Sequence, residues 1–428
     1  MKAQPKIVLI GASTRPLIAS CLAADCIPVA FDFFADFDGQ QLVQGLECVE
    51  ASLTKIDNYA DLLKCDFSKL GDMAVLTGGA ELRPELVEAV SKQLPILGAD
   101  TESLTAIADP LNWLRILQET GLRVPDTQRV RPDQNSGVWL QKNSATCGGR
   151  NVLLVSGQNS NLANKKTHDG SYFQKRIEGQ SFSAVLVSRL GHGDEADATF
   201  LVGCSRQWLA SDFVEASKLR NHSCALFEYH GSVGPLTIPA TAQSQIDQIT
   251  GVLAKRFRLR GIWGLDFVLD SADRVWPVDL NPRITASAEL FEAAIRRSDS
   301  QFRSVLDLHL AACQPNATVA AAEFEKLTTS KFGSEYWETK RIVFNSGAKA
   351  VEVTEMKFRQ LLNLYSPNFF KTDQLGKSIA DVPRPGDRIE SGHPFLTIRT
   401  RAKVESDAEA LSDEMFATLP AWCRQVNV

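Results

Sequence analysis

Between Gly261 and Ser287 the chain reads GIWGLDFVLDSADRVWPVDLNPRITAS, two β-rich apolar runs that carry Asp266 in the first and Asp279 with Asn281 in the second. An ionised carboxylate buried in a strand without a partner is costly, so each of these groups must be compensated. Side chains two apart on a strand share a face. Leu265, Phe267 and Leu269 therefore point one way and Asp266 the other. On the returning run Asp279 and Asn281 share a face, and Val278 and Leu280 take the opposite one. DSADR (270–274) supplies turn residues and predicts a hairpin that sets Asp266 across from Asp279 and Asn281. Asp270 and Asp273 belong to that turn. Pro277 cannot donate every ladder bond, so part of the second run lies at a sheet edge.

Three oxygen ligands on one face, with no His or Cys, describe a hard-cation site for Mg²⁺ or Mn²⁺. Mg²⁺ is usually held by one or two carboxylates plus substrate phosphates, which suits so sparse a protein shell. Arg283, two residues past Asn281, points to the same side and can reach a phosphate through its planar fork.

The rest of the chain divides into three stretches. Residues 1–105 alternate strands (KIVLI at 6–10, IPVAFD at 27–32, MAVLTGG at 73–79, PILGA at 95–99) with helices near 16–24 and 84–92, which predicts a parallel α/β unit. Residues 106–320 open with a helix, PLNWLRILQETG. They continue with grouped strands and one amphipathic helix (241–257) bearing Ile246, Ile249, Val252, Leu253 and Phe257 on one face, an α+β pattern with an antiparallel sheet. Residues 321–428 are β-rich and end in a helix from about Asp407 to Met415. GASTRP after the first strand has one glycine rather than G-x-G-x-x-G. Although Asp32 lies where a ribose-binding acid would sit, a turn capped by Ser13 or Thr14 is the preferred reading.

With 428 residues, 44% of them hydrophobic, the chain can build two or three cores, and a net charge of −5 points to neither nucleic acid nor membrane as the main partner. No apolar run approaches the roughly 20 residues of a spanning helix. The first run reads as a strand, not a secretory signal. Nine cysteines, an odd number without a C-x-x-C pair, argue against a disulfide scaffold or zinc knuckle and for a reducing cytoplasm.

Two further segments bear on phosphate. VWLQKNSATCGGRNV sets Lys142 at a strand end before a small-residue loop closing on Gly148 and Gly149, where backbone N–H groups can approach phosphate oxygens. It is not a Walker loop, since G-x-x-x-x-G-K-[ST] is absent. YFQKRIEGQSFSAVLV offers Gln174, Lys175 and Ile177 at a strand end, an edge able to supply the apolar slot and few hydrogen bonds that a purine needs.

Taken in order, the Lys142-to-GG loop, QKRIEG and the GLDFVLD…VDLNPR pair resemble the ATP-grasp superfamily. More narrowly, GASTRP, SCALFEYHGSVGPL and NPRITASAELFE are similar to the group known as predicted ATP-dependent carboligases, related to biotin carboxylase. The resemblance implies an ATP-grasp architecture, with an N-terminal α/β lobe, two ATP-clasping α+β subdomains and a small β-rich C-terminal module. By that likeness Lys142 and the 144–149 loop contact the phosphates, and Gln174, Lys175 and Ile177 frame the adenine. Asp266, Asp279 and Asn281 hold Mg²⁺, and Arg283 with Lys142 serves the transferred phosphate.

The implied chemistry is phosphorylation of a carboxylate followed by attack of an amine, giving an amide, ADP and phosphate. Relatives in the narrower group imply glutamate or another amino acid as cosubstrate in cofactor pathways of the tetrahydromethanopterin or methylofuran kind. A carboxylase-like use of bicarbonate and a non-catalytic ATP-binding protein are the alternatives. Three departures bear on these: Pro110 stands where many such enzymes have a lysine, Thr285 and Ser287 follow the metal asparagine where biotin carboxylases carry a base, and no biotin attachment motif is visible. Glu289 and Glu292 read as first-turn helix acids. His230 lies in a glycine-rich stretch read either as substrate wall or as a loop histidine without a role. The tail packs against the ATP lobe or a partner copy.

Overall fold

The computed structural model describes residues 4–45, 50–133, 136–155, 170–189, 197–213, 226–314, 321–329, 336–367, 369 and 374–424. Near the N-terminus β1 (Lys6–Ile10), β2 (Ile27–Asp32), β3 (Ser52–Lys55) and β4 (Met73–Leu76) form a parallel sheet in the order β3-β2-β1-β4. KIVLI has no polar alternation because both faces of a parallel strand are covered. Ile7 and Leu9 enter one buried cluster and Val8 and Ile10 another. The strand order reverses between β1 and β4, so the loops after these two strands flank the crevice where α/β sheets commonly take ligands. PILGA, expected as a strand, makes only a parallel bridge between Ala74 and Ile96. Pro95 has no N–H to donate, and Gly98 turns away at φ 118°.

A second sheet, wholly antiparallel, contains β5 (Thr127–Gln128), β6 (Trp139–Asn143), β7 (Leu153–Val155) and β8 (Ser171–Lys175) in the order β5-β8-β6-β7. The third and largest begins with β9 (Gln180–Arg189), β10 (Ala198–Leu209), β11 (Tyr229–Leu236), β12 (Gly261–Leu269) and β13 (Val275–Asn281). The tail supplies β14 (Trp337–Phe344), β15 (Val351–Glu352), β16 (Gly376–Ala380), β17 (Arg388–Ile389) and β18 (Pro394–Ala402). β15 and β17 pair with each other; β14, β18 and β16 extend the large antiparallel sheet, whose order is β13-β12-β9-β10-β11-β14-β18-β16. The tail therefore docks on the rest of this chain through the β11–β14 ladder.

The two faces of the large sheet differ in chemistry. Leu265, Phe267 and Phe182 look toward the helix Ala240–Arg256, whose Ile246, Ile249 and Leu253 are buried against them. On the other face Asp266 lies opposite Asp279 and Ser183, and Ser183 lies opposite Ser205. From Gln207, two residues on, the register continues through Ser232 and Lys340 to Arg399. One face thus packs a core, and the other carries a row of polar side chains.

Seven of the nine cysteines are described, all as free thiols; Cys48 and Cys224 lie outside the described residues. No helix of the described residues is long and apolar enough to cross a membrane.

Candidate active site

The hairpin folds as its periodicity requires. Asp266 stands directly opposite Asp279, Gly264 stands opposite Asn281, and a bulge after Asp266 absorbs Val278. Asn281 Nδ2 donates to Asp266 Oδ2 at 3.2 Å, which joins the three expected metal ligands. Gly264 is needed here: a Cβ would come within 2.3 Å of Thr285 Cγ2, so only glycine lets the segment after Asn281 fold back over β12. Burial, then the charge of Asp279, push the Asp266 carboxyl up to about 6, against the pull of hydrogen bonds from Ser183 and Gln207. That shift marks negative charge not fully offset by the protein, which is what a cation would relieve. Among the described residues no three His, Cys, Asp or Glu side chains gather into a metal group. Two carboxylates and an amide fit a hard cation that takes its remaining oxygens from a phosphate ligand.

Arg283 lies beside them. Its Nη2 donates to Asn281 Oδ1 at 2.9 Å, its Nη1 to the Ile284 carbonyl at 3.3 Å, and its Nε to Glu81 from the turn after β4. Burial opposes its charge, but Glu81, Cys147 and Asp279 together more than offset this and raise its pKa. Glu81 carries no local sequence signal; only the strand order brings it here.

The smaller antiparallel sheet supplies the other wall. Lys142 and Gln174 share a face of that sheet, and Lys142 Nζ donates to Gln174 Oε1 at 2.9 Å and to the Val278 carbonyl at 3.1 Å. The lysine therefore spans the space between the sheets and ends next to Asp279. Burial lowers its pKa, and the charges of Asp279 and Asp266 work against that. Gly148 and Gly149 adopt φ of 73° and 70°. The Gly148 carbonyl accepts from Tyr229 N at 2.9 Å, and a Cβ on Gly149 would sit 1.9 Å from the Phe227 carbonyl oxygen. This loop accordingly lies against the start of β11.

Lys175 departs from the expected adenine frame in one respect. Its side chain leaves the face opposite Gln174, because neighbours on a strand alternate, and pairs with Asp126 at 3.2 Å. With Ile177 it lines a cavity of about 690 Å³ bounded also by Arg123, Gln245 and Trp276. Trp276 lies opposite Val268, two residues from Asp266, and so faces the same side as the metal residues.

Other residues singled out in the sequence resolve as structure. Asp32 is fully buried and accepts from Thr14 N and Oγ1, Phe34 N and Ala35 N, tying two loops together instead of offering itself to a ribose. His230 stacks between Phe213 and Phe344, with ring centroids 6.0 and 4.4 Å away. Glu289 and Glu292 each stand in the first turn of a short helix, as expected, and Glu289 is in addition buried among Arg15, Lys340 and Arg399. Glu292 accepts from Val305 N at 3.1 Å, and burial pushes its pKa up to about 7. Thr285 and Ser287 bond to each other at 2.9 Å. Pro110 opens its helix behind the Asp109 cap, a position that needs no N–H, and the cation at that point is Arg129, paired with Asp109 at 2.8 Å.

Residues 107–287 match the ATP-grasp domain family. This stretch is an ATP-grasp domain. Its limits include Lys142, the glycine loop, Gln174 and the whole metal hairpin. The large chain of carbamoyl phosphate synthase from Thermoplasma acidophilum is 24% identical over 229 residues, 50% of this chain and 20% of that one. The chain thus spans about a fifth of that relative's length. Among solved structures, L-amino acid ligase from Bacillus licheniformis superposes with a TM-score of 0.66 at 15% identity, covering 98% of both chains. ATP-bound carboxyaminoimidazole ribonucleotide synthase from Aspergillus clavatus gives 0.66 at 13% identity, covering 97% of this chain and 98% of that one. Biotin carboxylase from Campylobacter jejuni gives 0.66 at 12% identity, covering 97% and 92%. These likenesses extend the ATP-grasp fold over nearly the full chain.

Proposed function

We propose that the chain is an ATP- and Mg²⁺-dependent ligase that joins a small carboxylic acid to an amine and releases ADP and phosphate. The observation that carries this reading is the pairing of Asp266 with Asp279 on one sheet while Lys142, from the other, donates to the carbonyl of Val278 beside Asp279 and feels the charge of both aspartates. A nucleotide lying between the sheets would place its phosphates there. Its base would lie toward Gln174, Ile177 and Trp276, roughly 10 Å along β13 from Asp279. Lys175 would serve the base through its backbone. The three parts 1–105, 106–320 and 321–428 would act as acceptor lobe, nucleotide clasp and supporting module.

In this reading a substrate carboxylate oxygen attacks the γ-phosphorus and ADP departs; the amine then attacks the acyl carbon and phosphate leaves. A bound divalent ion would neutralise and orient the phosphates, held by Asp266, Asp279 and Asn281. Lys142 and Arg283 would stabilise charge on the transferred group, since phosphoryl transfer depends on positioning and electrostatics more than on a covalent protein nucleophile. Glutamate or another amino acid, as in assembly of a cofactor, is the favoured cosubstrate.

Bicarbonate activation is the second reading, favoured by the likeness to biotin carboxylase and carboxyaminoimidazole ribonucleotide synthase. Against it, the positions following the metal strand where biotin carboxylases carry a base hold the hydroxyls of Thr285 and Ser287, bonded to each other. The deciding experiment is a screen of acid–amine pairs, with bicarbonate as a separate arm, for Mg²⁺-dependent ADP formation. Turnover that requires both an acid and an amine supports the first reading, and strict bicarbonate dependence supports the second. Nucleotide binding without turnover under any pair would make the chain a binding protein. Asp279→Ala and Asn281→Ala should lower turnover by roughly 100-fold or more.

A further inference from the structure

Arg283 is held more elaborately than its place beside the metal residues accounts for. Its Nε partner, Glu81, is 202 residues distant in sequence and comes from the parallel sheet. Glu81 is itself fixed, because its Oε2 accepts from the Gly79 amide at 2.9 Å. Gly78 and Gly79 adopt φ of 58° and 98°, two consecutive left-handed residues that bring the carboxylate of residue 81 back onto the amide of residue 79. Tyr59 Oη donates to the Gly78 carbonyl at 3.1 Å, and Thr77 Oγ1 donates to the Ile284 carbonyl at 2.8 Å, so both ends of the contact are pinned. The Arg283 and Glu81 side chains are only 11% and 4% exposed. A pair this enclosed returns little net stability, and its value lies in fixed geometry.

Asn281 Oδ1 has two claimants. It accepts from Arg283 Nη2 at 2.9 Å, and it is also the oxygen the amide would offer a divalent ion. A cation and a guanidinium on one oxygen repel each other. A cation bound at Asn281 would release Nη2, while Nε would stay on Glu81 and Nη1 on the Ile284 carbonyl. Nη2 would then be the guanidinium nitrogen available to a phosphate held by that cation.

We infer that Glu81 is a positioning residue for Arg283, through which the parallel sheet aims this guanidinium at the phosphoryl group in transfer. The inference deepens the ligase reading and rests on it. It adds a residue outside the ATP-grasp domain to the machinery of that domain.

Calorimetric titration of the whole chain with Mg–ADP, alone and with aluminium fluoride as the phosphoryl mimic, tests this without knowing the substrate. In the wild type, fluoride should tighten Mg–ADP binding by about tenfold or more. Glu81→Gln should abolish most of that gain while Mg–ADP alone stays within about threefold, and Glu81→Asp should recover much of it. In an Arg283→Ala background, Glu81→Gln should add less than about twofold, because the two residues act as one unit. The inference is overturned if Glu81→Gln keeps the full gain, or if it weakens Mg–ADP alone to the same degree. Equal losses with and without Arg283, or a wild type that gains nothing from fluoride, overturn it too. A wild type that fails to bind Mg–ADP at all overturns the nucleotide reading itself, a separate and visible outcome.

Discussion

Two clusters of charge lie on the same face of the large sheet, and they are built on opposite plans. Around Glu289, ion pairs join Arg15, Lys340, Arg399 and Arg401 to Glu289, Glu338, Asp38 and Asp381, four cations to four carboxylates. Around Asp266 the carboxylates are Asp266, Asp279 and Glu81, while the cations are Lys142 and Arg283. In the first cluster the cations Arg15, Arg399 and Lys340 outweigh burial and hold Glu289 well below the usual carboxylate range, although at its edge burial still raises Asp38 to about 6 and raises the neighbouring Asp36. The second is short of positive charge, and Asp266 rises to about 6. Matched burial marks a joint between the parallel sheet, the ATP-grasp strands and the tail. At Asp266 a second carboxylate, Asp279, stands opposite, and it is this pair of buried carboxylates with an amide beside them, more than burial itself, that a cation would answer.

Glu289→Gln breaks the balance most severely. It leaves Arg15, Lys340 and Arg399 around a neutral amide, and removing one partner of a buried network typically costs about 3–5 kcal/mol. The denaturation midpoint should fall accordingly, while Mg–nucleotide binding by the folded fraction persists at low temperature. A loss below about 1 kcal/mol would mean that the cluster is not a structural joint.

Acidification should separate the two clusters next. The raised pKa of Asp266 means that the folded chain binds its proton more tightly than the unfolded one, so this group's contribution to stability falls as pH rises toward 6. Metal binding needs the ionised form, and Mg²⁺-dependent nucleotide affinity should fall about tenfold per pH unit below that value. Glu289 behaves in the opposite sense. Its depressed pKa gives a contribution fully present above about pH 4.3 and lost only as pH falls through the lower folded value. Between about pH 5 and 6, calorimetry should register weakening nucleotide binding in a chain whose Glu289 joint is intact. Parallel loss of binding and stability in that window would merge the two clusters into one.

The smallest effect is expected at Lys175. Its ion pair with Asp126 is largely exposed, so Lys175→Ala should change stability by less than about 1 kcal/mol. Nucleotide affinity should stay within about threefold if the ammonium remains on Asp126 and does not turn into the cavity that Lys175 lines with Ile177 and Trp276. A tenfold loss would place its ammonium in the site after all.

Much of the site was legible because it is written in local periodicity. The hairpin that joins Asp266 to Asp279 and Asn281, the strand end at Lys142 and the buried run KIVLI follow from period-two alternation and turn residues. The sequence reading of PILGA as a strand failed because a β-rich run needs a ladder partner along its whole length, and Pro95 and Gly98 deny it one. Glu289 is a first-turn helix acid as its sequence position implies, but its three cations gave no signal because they come from residues 15, 340 and 399. Glu81 gave no signal because its meaning depends on a residue two hundred positions away.

Side-chain alternation along each strand, and therefore which oxygens can share a face, was determined by the order of residues alone. Which charges would be answered, and by what, was decided only when distant strands met: the register across β10, β11, β14 and β18 set Lys340 beside Arg399, both on Glu289, and the turn after β4 brought Glu81 to Arg283. The physical reason is range. Backbone geometry acts over a few residues, whereas compensation of a buried charge acts over a few ångströms, and only tertiary folding converts the first distance into the second.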